Sequence, residues 1–261
     1  MATNYNIFEF QLKDSFRQRN IITSGGKALV TAAGAQARAT LYNPAANFAA
    51  LANPIDLTYG GGKFAVLDTL GNVDIYVMGP EGDFVVVEDV PPGSIQEVLI
   101  DMSRREQMLK LPFSATDAGT GTTEFDTGFD LPTNCLVSPH GAGVLPVTAD
   151  AGETLDVGLL SSEGGGDADG FIDGISIATA AAVAAGPAMT VGTNETFFAS
   201  NTLGVLLSSF LAGADTASSE GSFAYKYHRI DGTAKSISLT PSSWDGGAAG
   251  YFFLPYILFG R

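Results

Sequence analysis

Residues that hold metals, attack carbonyls or cradle phosphates show themselves by type and spacing, and several stretches of this chain invite that test. The densest is residues 163–174, EGGGDADGFIDG, with three aspartates among five glycines in the manner of a calcium loop. Such a loop needs oxygen ligands at positions 1, 3 and 5, a glycine at 6 and a glutamate at 12. Counted from Asp167, positions 5 and 6 are Phe171 and Ile172; counted from Asp169, position 3 is Phe171 and position 12 is Ala180. Neither register supplies the ligands. The stretch is expected to be an acidic turn before a strand, with Asp169 and Asp173 at the turn ends and Phe171 and Ile172 on opposite faces. A metal held by Asp167, Asp169 and Asp173 is the alternative.

Nucleophilic chemistry finds less support. The nearest approach to G-x-S-x-G is residues 174–178, GISIA, inside an apolar run. A triad needs a histidine oriented by a carboxylate and facing a nucleophile. His140, between Pro139 and Gly141, reads as a turn residue, and His228 alternates with tyrosines on a strand surface. Cys135 precedes Leu136 and Val137 and reads as a buried thiol. GGGKF at residues 60–64 lacks the leading glycine of a phosphate loop and reads as a hairpin loop. Glu88 and Asp89 are neighbours on a strand, so their carboxylates face opposite ways and cannot share one glycosidic substrate. No catalytic constellation, cofactor site or metal site is expected.

The elements that would position such residues are strands. The chain has 261 residues, 45% hydrophobic and 16% charged, with 32 glycines and 12 prolines. Short runs rich in Val, Ile, Phe, Tyr and Thr alternate with turn residues, and no long segment keeps helical apolar spacing. The fold class read from this is all-β, with two β-sandwich units and an N-terminal arm. The arm is residues 1–24. A small sandwich spans 25–102, with a hairpin turn at Gly79-Pro80-Glu81-Gly82. Residues 103–110, SRREQMLK, are charged and helix-tolerant and read as a linker. A jelly-roll-like sandwich spans 111–261, with a hairpin signal at Asp231-Gly232. Residues 202–211, TLGVLLSSFL, fit a short helix or a buried strand equally well.

Charge divides the two halves. The chain carries −15, and residues 1–110 hold 9 basic and 12 acidic side chains, a net −3; the remainder holds 4 and 16, a net −12. A chain so acidic repels phosphate backbones, so nucleic acid is not an expected partner. A single cysteine leaves no internal disulfide, and the first residues lack the basic and apolar regions of a signal peptide. The weakly polar run ISIATAAAVAAGPAMTV is broken by Gly186-Pro187 and makes a poor membrane span. Cytoplasmic synthesis and no membrane partner are the expectations, and the acceptor sequence at Asn194 is then idle. Within the arm, Phe8, Phe10 and Leu12 form an apolar edge next to Lys13, Arg17 and Arg19. These six are the candidate docking residues; pairing of the arm with its own sandwich is the alternative.

The later half, with FDTGFDLPTNCLV, ETLDVGLLSSEGGGDADGFIDGISIATAA and the ending SISLTPSSWDGGAAGYFFLPYILFGR, resembles head decoration (cement) proteins of tailed bacteriophages. That resemblance implies a structural virion protein without enzymatic activity, seated on the outer capsid surface. It also implies the major capsid protein as partner and a homo-oligomer, a trimer, as the working form. The rival reading is a carbohydrate-binding virion module, for which Trp244, Tyr225 and Tyr227 are the candidate platforms. An acidic β-rich hydrolase is the remaining alternative.

Overall fold

The computed structural model describes residues 4–259 apart from 16, 18, 22–24, 60, 94, 101–103, 119–120, 134, 186–189, 192–194, 197–202, 205, 212–221, 226 and 244–246. The chain is built almost wholly of strands in several mostly antiparallel sheets, as its alternating patterns require. Among the described residues no helix is long and apolar enough to cross a membrane.

The described residues of the first unit form β1 (Tyr5–Asp14), β2 (Arg19–Asn20), β3 (Lys27–Ala32), β4 (Leu41–Asn43), β5 (Ala49–Leu51), β6 (Ile55–Asp56), β7 (Gly61–Leu67), β8 (Val73–Met78), β9 (Phe84–Val90) and β10 (Ile95–Ile100). One sheet runs β10-β1-β7-β4-β5 with β2 on the end of β1, and the other runs β6-β3-β8-β9. Strand β1 is therefore a central strand and not a free arm. It runs parallel to β10 and antiparallel to β7, with Phe8 opposite Phe64. The period-two pattern of IFEFQL sends Phe8, Phe10 and Leu12 into the core, where the Phe8 and Phe64 rings stack at 5.3 Å. At the β8–β9 hairpin, the Gly79 amide donates to the Asp83 carbonyl and Gly82 adopts φ +86, as the Gly-Pro-Glu-Gly signal requires. The GGGKF stretch begins at a hairpin turn, where Thr58 and Gly61 exchange backbone hydrogen bonds, but Gly61 to Phe64 already lie in β7, where Lys63 pairs with Glu9 at 3.0 Å.

The second unit holds β11 (Glu106–Ser114), the single helical turn α1 (Ala115–Ala118), β12 (Phe125–Leu131), β13 (Cys135–Val137), β14 (Gly143–Thr148), β15 (Thr154–Leu159), β16 (Asp167–Ser176), β17 (Val183–Ala184), β18 (Thr190–Val191), β19 (Glu195–Thr196), β20 (Ser208–Leu211), β21 (Ser222–Tyr225), β22 (His228–Arg229), β23 (Lys235–Pro241) and β24 (Ala249–Leu258). Its two main sheets are β17-β14-β24-β13-β22, with β11 on the other flank of β24, and β12-β23-β15-β16. They enclose one core containing Leu109, Phe129, Phe171, Ile237, Phe252 and Tyr256.

Three expectations change here. Residues 106–110 are not a linker, because β11 pairs with β24 from Glu106 onward and buries Gln107 and Leu109. Asp231-Gly232 does not close a hairpin. Gly232 does take φ +77, but the turn carries the chain from β22 in one sheet to β23 in the other. Within residues 202–211 the chain makes a bridge at Leu203, a turn, and then β20, which pairs with β21.

The two units share a seam at β8. Every residue of β8 is buried: Val73, Ile75 and Val77 face the first core, while Tyr76 and Met78 join the second. A sheet covered on both faces explains why VDIYVM reads as an almost unbroken apolar run. Its one carboxylate, Asp74, is buried and accepts hydrogen bonds from the Gly34 and Asp89 amides, both at 2.8 Å. Arg38 closes the seam. Its guanidinium donates to the carbonyls of Asn53 and Thr127 at 2.9 Å each and lies 4.6 Å from the centre of the Phe125 ring. Its backbone amide donates to both carboxylate oxygens of Asp117.

Candidate functional site

The six docking candidates divide cleanly. Phe8, Phe10 and Leu12 are buried to within 2% of full coverage, so their side chains are not available to a partner; that part of the expectation is corrected. The reason is pairing on both sides of β1, which leaves one face of its alternation no exit from the core. Lys13, Arg17 and Arg19 lie at the far end of the same strand and its return. Lys13 pairs with Glu97 at 3.1 Å, Arg17 sits 3.8 Å from Asp14, and Arg19 is exposed in β2. They border the outward face of the β1 sheet, where Ile7, Leu67 and Leu99 are also exposed among the Glu9–Lys63 and Lys13–Glu97 pairs.

The EGGGDADGFIDG stretch is a tight turn over residues 161–166 followed directly by β16. Asp169 and Asp173 lie within the strand, not at turn ends. Phe171 and Ile172 are both buried in the same core, against the expected opposite faces. The cause is a bulged register: Val157 faces Ile172, but Leu159 faces Asp167, and Gly174 takes φ +63 while its amide donates to the Asp156 carboxylate at 2.6 Å. Asp167 and Asp169 share a hydrogen bond that, with burial and mutual repulsion, pushes Asp167 up to about 6. Burial, then the charges of Asp173 and Asp169, pushes Asp156 upward. Among the described residues, no three His, Cys, Asp or Glu side chains gather in a way that would hold a metal ion.

The remaining reactive types are dispersed. Cys135 is fully buried, and burial pushes its thiol up to about 12. His228 is not on an open surface; it is half-buried, with its ring 5.9 Å from that of core residue Phe171. His140 is exposed, its ring edge-on to Tyr227 at 6.2 Å. His140 and Tyr227 border an open groove of about 300 Å³ that Arg104, Glu106, Met108 and Pro255 also line. Glu88 pairs with Lys110, and Asp89 accepts from Asn72, so the two carboxylates point to separate partners. Trp244 and Asn194 lie outside the described residues, as does the side chain of Tyr225.

What the residue types do build is a sandwich with two unlike outer faces. On the β12-β23-β15-β16 sheet, Ile237 and Leu239 point inward. On the other side Ser236 and Ser238 are buried beneath the acidic groups, Ser236 donating to the Asp126 carboxylate, while Asp126 and Asp130 are exposed and Asp156 is half-buried. Burial, followed by the nearby Glu163 and Asp126 charges, raises Asp130 above the ordinary carboxylate range even with Lys27 close by. On the β24 sheet, Phe252, Leu254 and Tyr256 point inward, and the alternate residues Phe253, Pro255 and Ile257 point outward. One face is polar and acidic, the other apolar. The sequence shows this ending as an unbroken apolar run; which of its two faces is covered is what the structure adds.

No family model and no curated protein matches the chain. Among solved structures, the chain is similar to that of the infectious bursal disease virus Gt strain at 10% identity and a TM-score of 0.23, covering 97% of this chain and 55% of that one. It is likewise similar to the VP2 subviral particle of infectious bursal disease virus at 14% identity and a TM-score of 0.23, covering 92% and 53%. The chain thus spans about half the length of the structures it matches.

Proposed function

We propose that this chain is a structural virion protein that binds the outer surface of a phage capsid and stabilises the shell, working as a homo-oligomer and making or breaking no covalent bond. The observation that carries the reading is the division of its surface. The second unit turns an acidic sheet outward, while the outward face of the β1 sheet holds its charges in pairs, Glu9–Lys63 and Lys13–Glu97, among exposed Ile7, Leu67 and Leu99. Like charge on the distal unit keeps densely arrayed copies apart. The near-neutral face of the first unit is the one that can approach a shell, with Arg17 and Arg19 at its edge. The resemblance of the later half to phage cement proteins supports the same role. A footprint of ~800 Å² per partner suffices for a specific contact, and several tethered footprints multiply weak ones.

Co-sedimentation with capsids that lack the protein tests this. The wild-type chain binds, and an Arg17→Glu/Arg19→Glu/Leu99→Glu variant loses at least ~10-fold in affinity while its unfolding midpoint is unchanged. Absence of wild-type binding refutes the reading. A glycan-binding virion module is the second reading, favoured by the exposed Tyr227 ring beside His140 at the groove. Selective glycan binding that Tyr227→Ala abolishes would decide for it.

A further inference from the structure

We propose that the outward face of the β24 sheet is the surface through which one copy of this chain packs against another. An antiparallel sheet with one face on a core normally turns polar residues to water on the other. The sister sheet obeys that rule with Asp126 and Asp130, which are exposed. Strand β24 does not, because Phe253, Pro255 and Ile257 project outward from the middle of its sheet. The flanking strands extend the same character: Met108 stands opposite Pro255, Leu136 opposite Ile257, and Leu145 opposite Tyr251. Met108 is 45% exposed. Among the described residues the first unit meets this face on its Tyr251 side, where Gln36 donates to the Tyr251 hydroxyl and Glu88 pairs with Lys110, whose ammonium lies over the Tyr251 ring.

Charge selects the occupant. Two chains of −15 repel through any acid-rich face, so self-association needs a face cleared of carboxylates. The outward positions of β11, β13, β22 and β24 carry one carboxylate, Glu106, against the cations Lys110 and Arg229, themselves paired with Glu88 and Asp231. A strongly basic partner would instead find its complement on the acidic sheet. A second copy brings the same apolar face, self-complementary about a symmetry axis. Size is in range: β24, β11, β13, β14, β17 and β22 together span on the order of 500 Å², and rim residues bring this toward the ~800 Å² a side of a standard interface.

The inference supplies the surface for the oligomer expected above and rests on that reading for the expectation. Its test needs no shell, so the two can fail separately. In sedimentation velocity of the purified full chain, the wild type runs as an oligomer at about 100 µM, and a Met108→Glu/Ile257→Glu variant runs as a monomer, its self-affinity weakened by at least ~100-fold. Leu99→Glu, on the other unit, stays oligomeric. If the double variant unfolds, Met108→Cys reports instead: a thiol reagent labels it at least ~10-fold more slowly in the oligomer than in diluted monomer. A wild type that stays monomeric, a folded double variant as oligomeric as the wild type, or equal labelling at both concentrations overturns the proposal.

Discussion

At the residue scale, the decisive fact is which side of a strand each side chain occupies. Phe10 looked as suited to docking as to packing; burial assigns it to the core. Phe10→Ala is expected to cost ~3–5 kcal/mol in denaturant unfolding through the cavity it leaves. An exposed docking residue would cost almost nothing. Asp167 makes a second prediction at this scale. Its hydrogen bond to Asp169, with burial, raises it from 3.8 to about 6, so the folded chain holds a proton that the unfolded chain releases more readily. The stability this confers is full at low pH and is lost as pH rises through about 6. The pair is largely solvent-accessible, so the effect is ~1 kcal/mol at most. Asp167→Asn should flatten the rise in unfolding midpoint seen by calorimetry between pH 7.5 and pH 5, where the wild type gains stability.

At the element scale, the all-β class, the β8–β9 hairpin and the strand character of residues 5–14 were legible, because alternation and turn chemistry are local. The partner of β1 was not. Its neighbour β10 lies some ninety residues on, and nothing local records a parallel pairing over that distance. Residues 106–110 read as a linker because alternate charges, Glu106 and Lys110, obscured the inward row of Gln107 and Leu109. The β16 bulge escaped because an extra residue inverts the facing of all that follows it. The interaction face of β24 was hidden for a different reason. A run apolar on both faces, AGYFFLPYILF, looks the same whether it is covered twice, as β8 is, or covered once. The Arg38 seam also joins elements distant in sequence. Arg38→Ala deletes two charge-assisted hydrogen bonds and a ring contact, so a loss of ~2–4 kcal/mol in chemical denaturation is expected. A loss under ~0.5 kcal/mol would mean the two units do not depend on this residue.

At the scale of the whole molecule, the described residues form two cores that meet at β8, and the outer surfaces of the sheets differ in kind. Among the described residues, Asp126, Asp130 and Asp156 lie on the β12-β23-β15-β16 sheet, apart from the near-neutral face of the β1 sheet and from the apolar face of β24. That arrangement suits a part that touches neighbours on two sides and repels them on a third. The most direct test is an image reconstruction of capsids before and after the purified chain is added. The account predicts added density on the outer surface, with the β1 sheet against the shell and the Asp126, Asp130 and Asp156 face turned to solvent. Capsids that gain no density at saturating protein would contradict it.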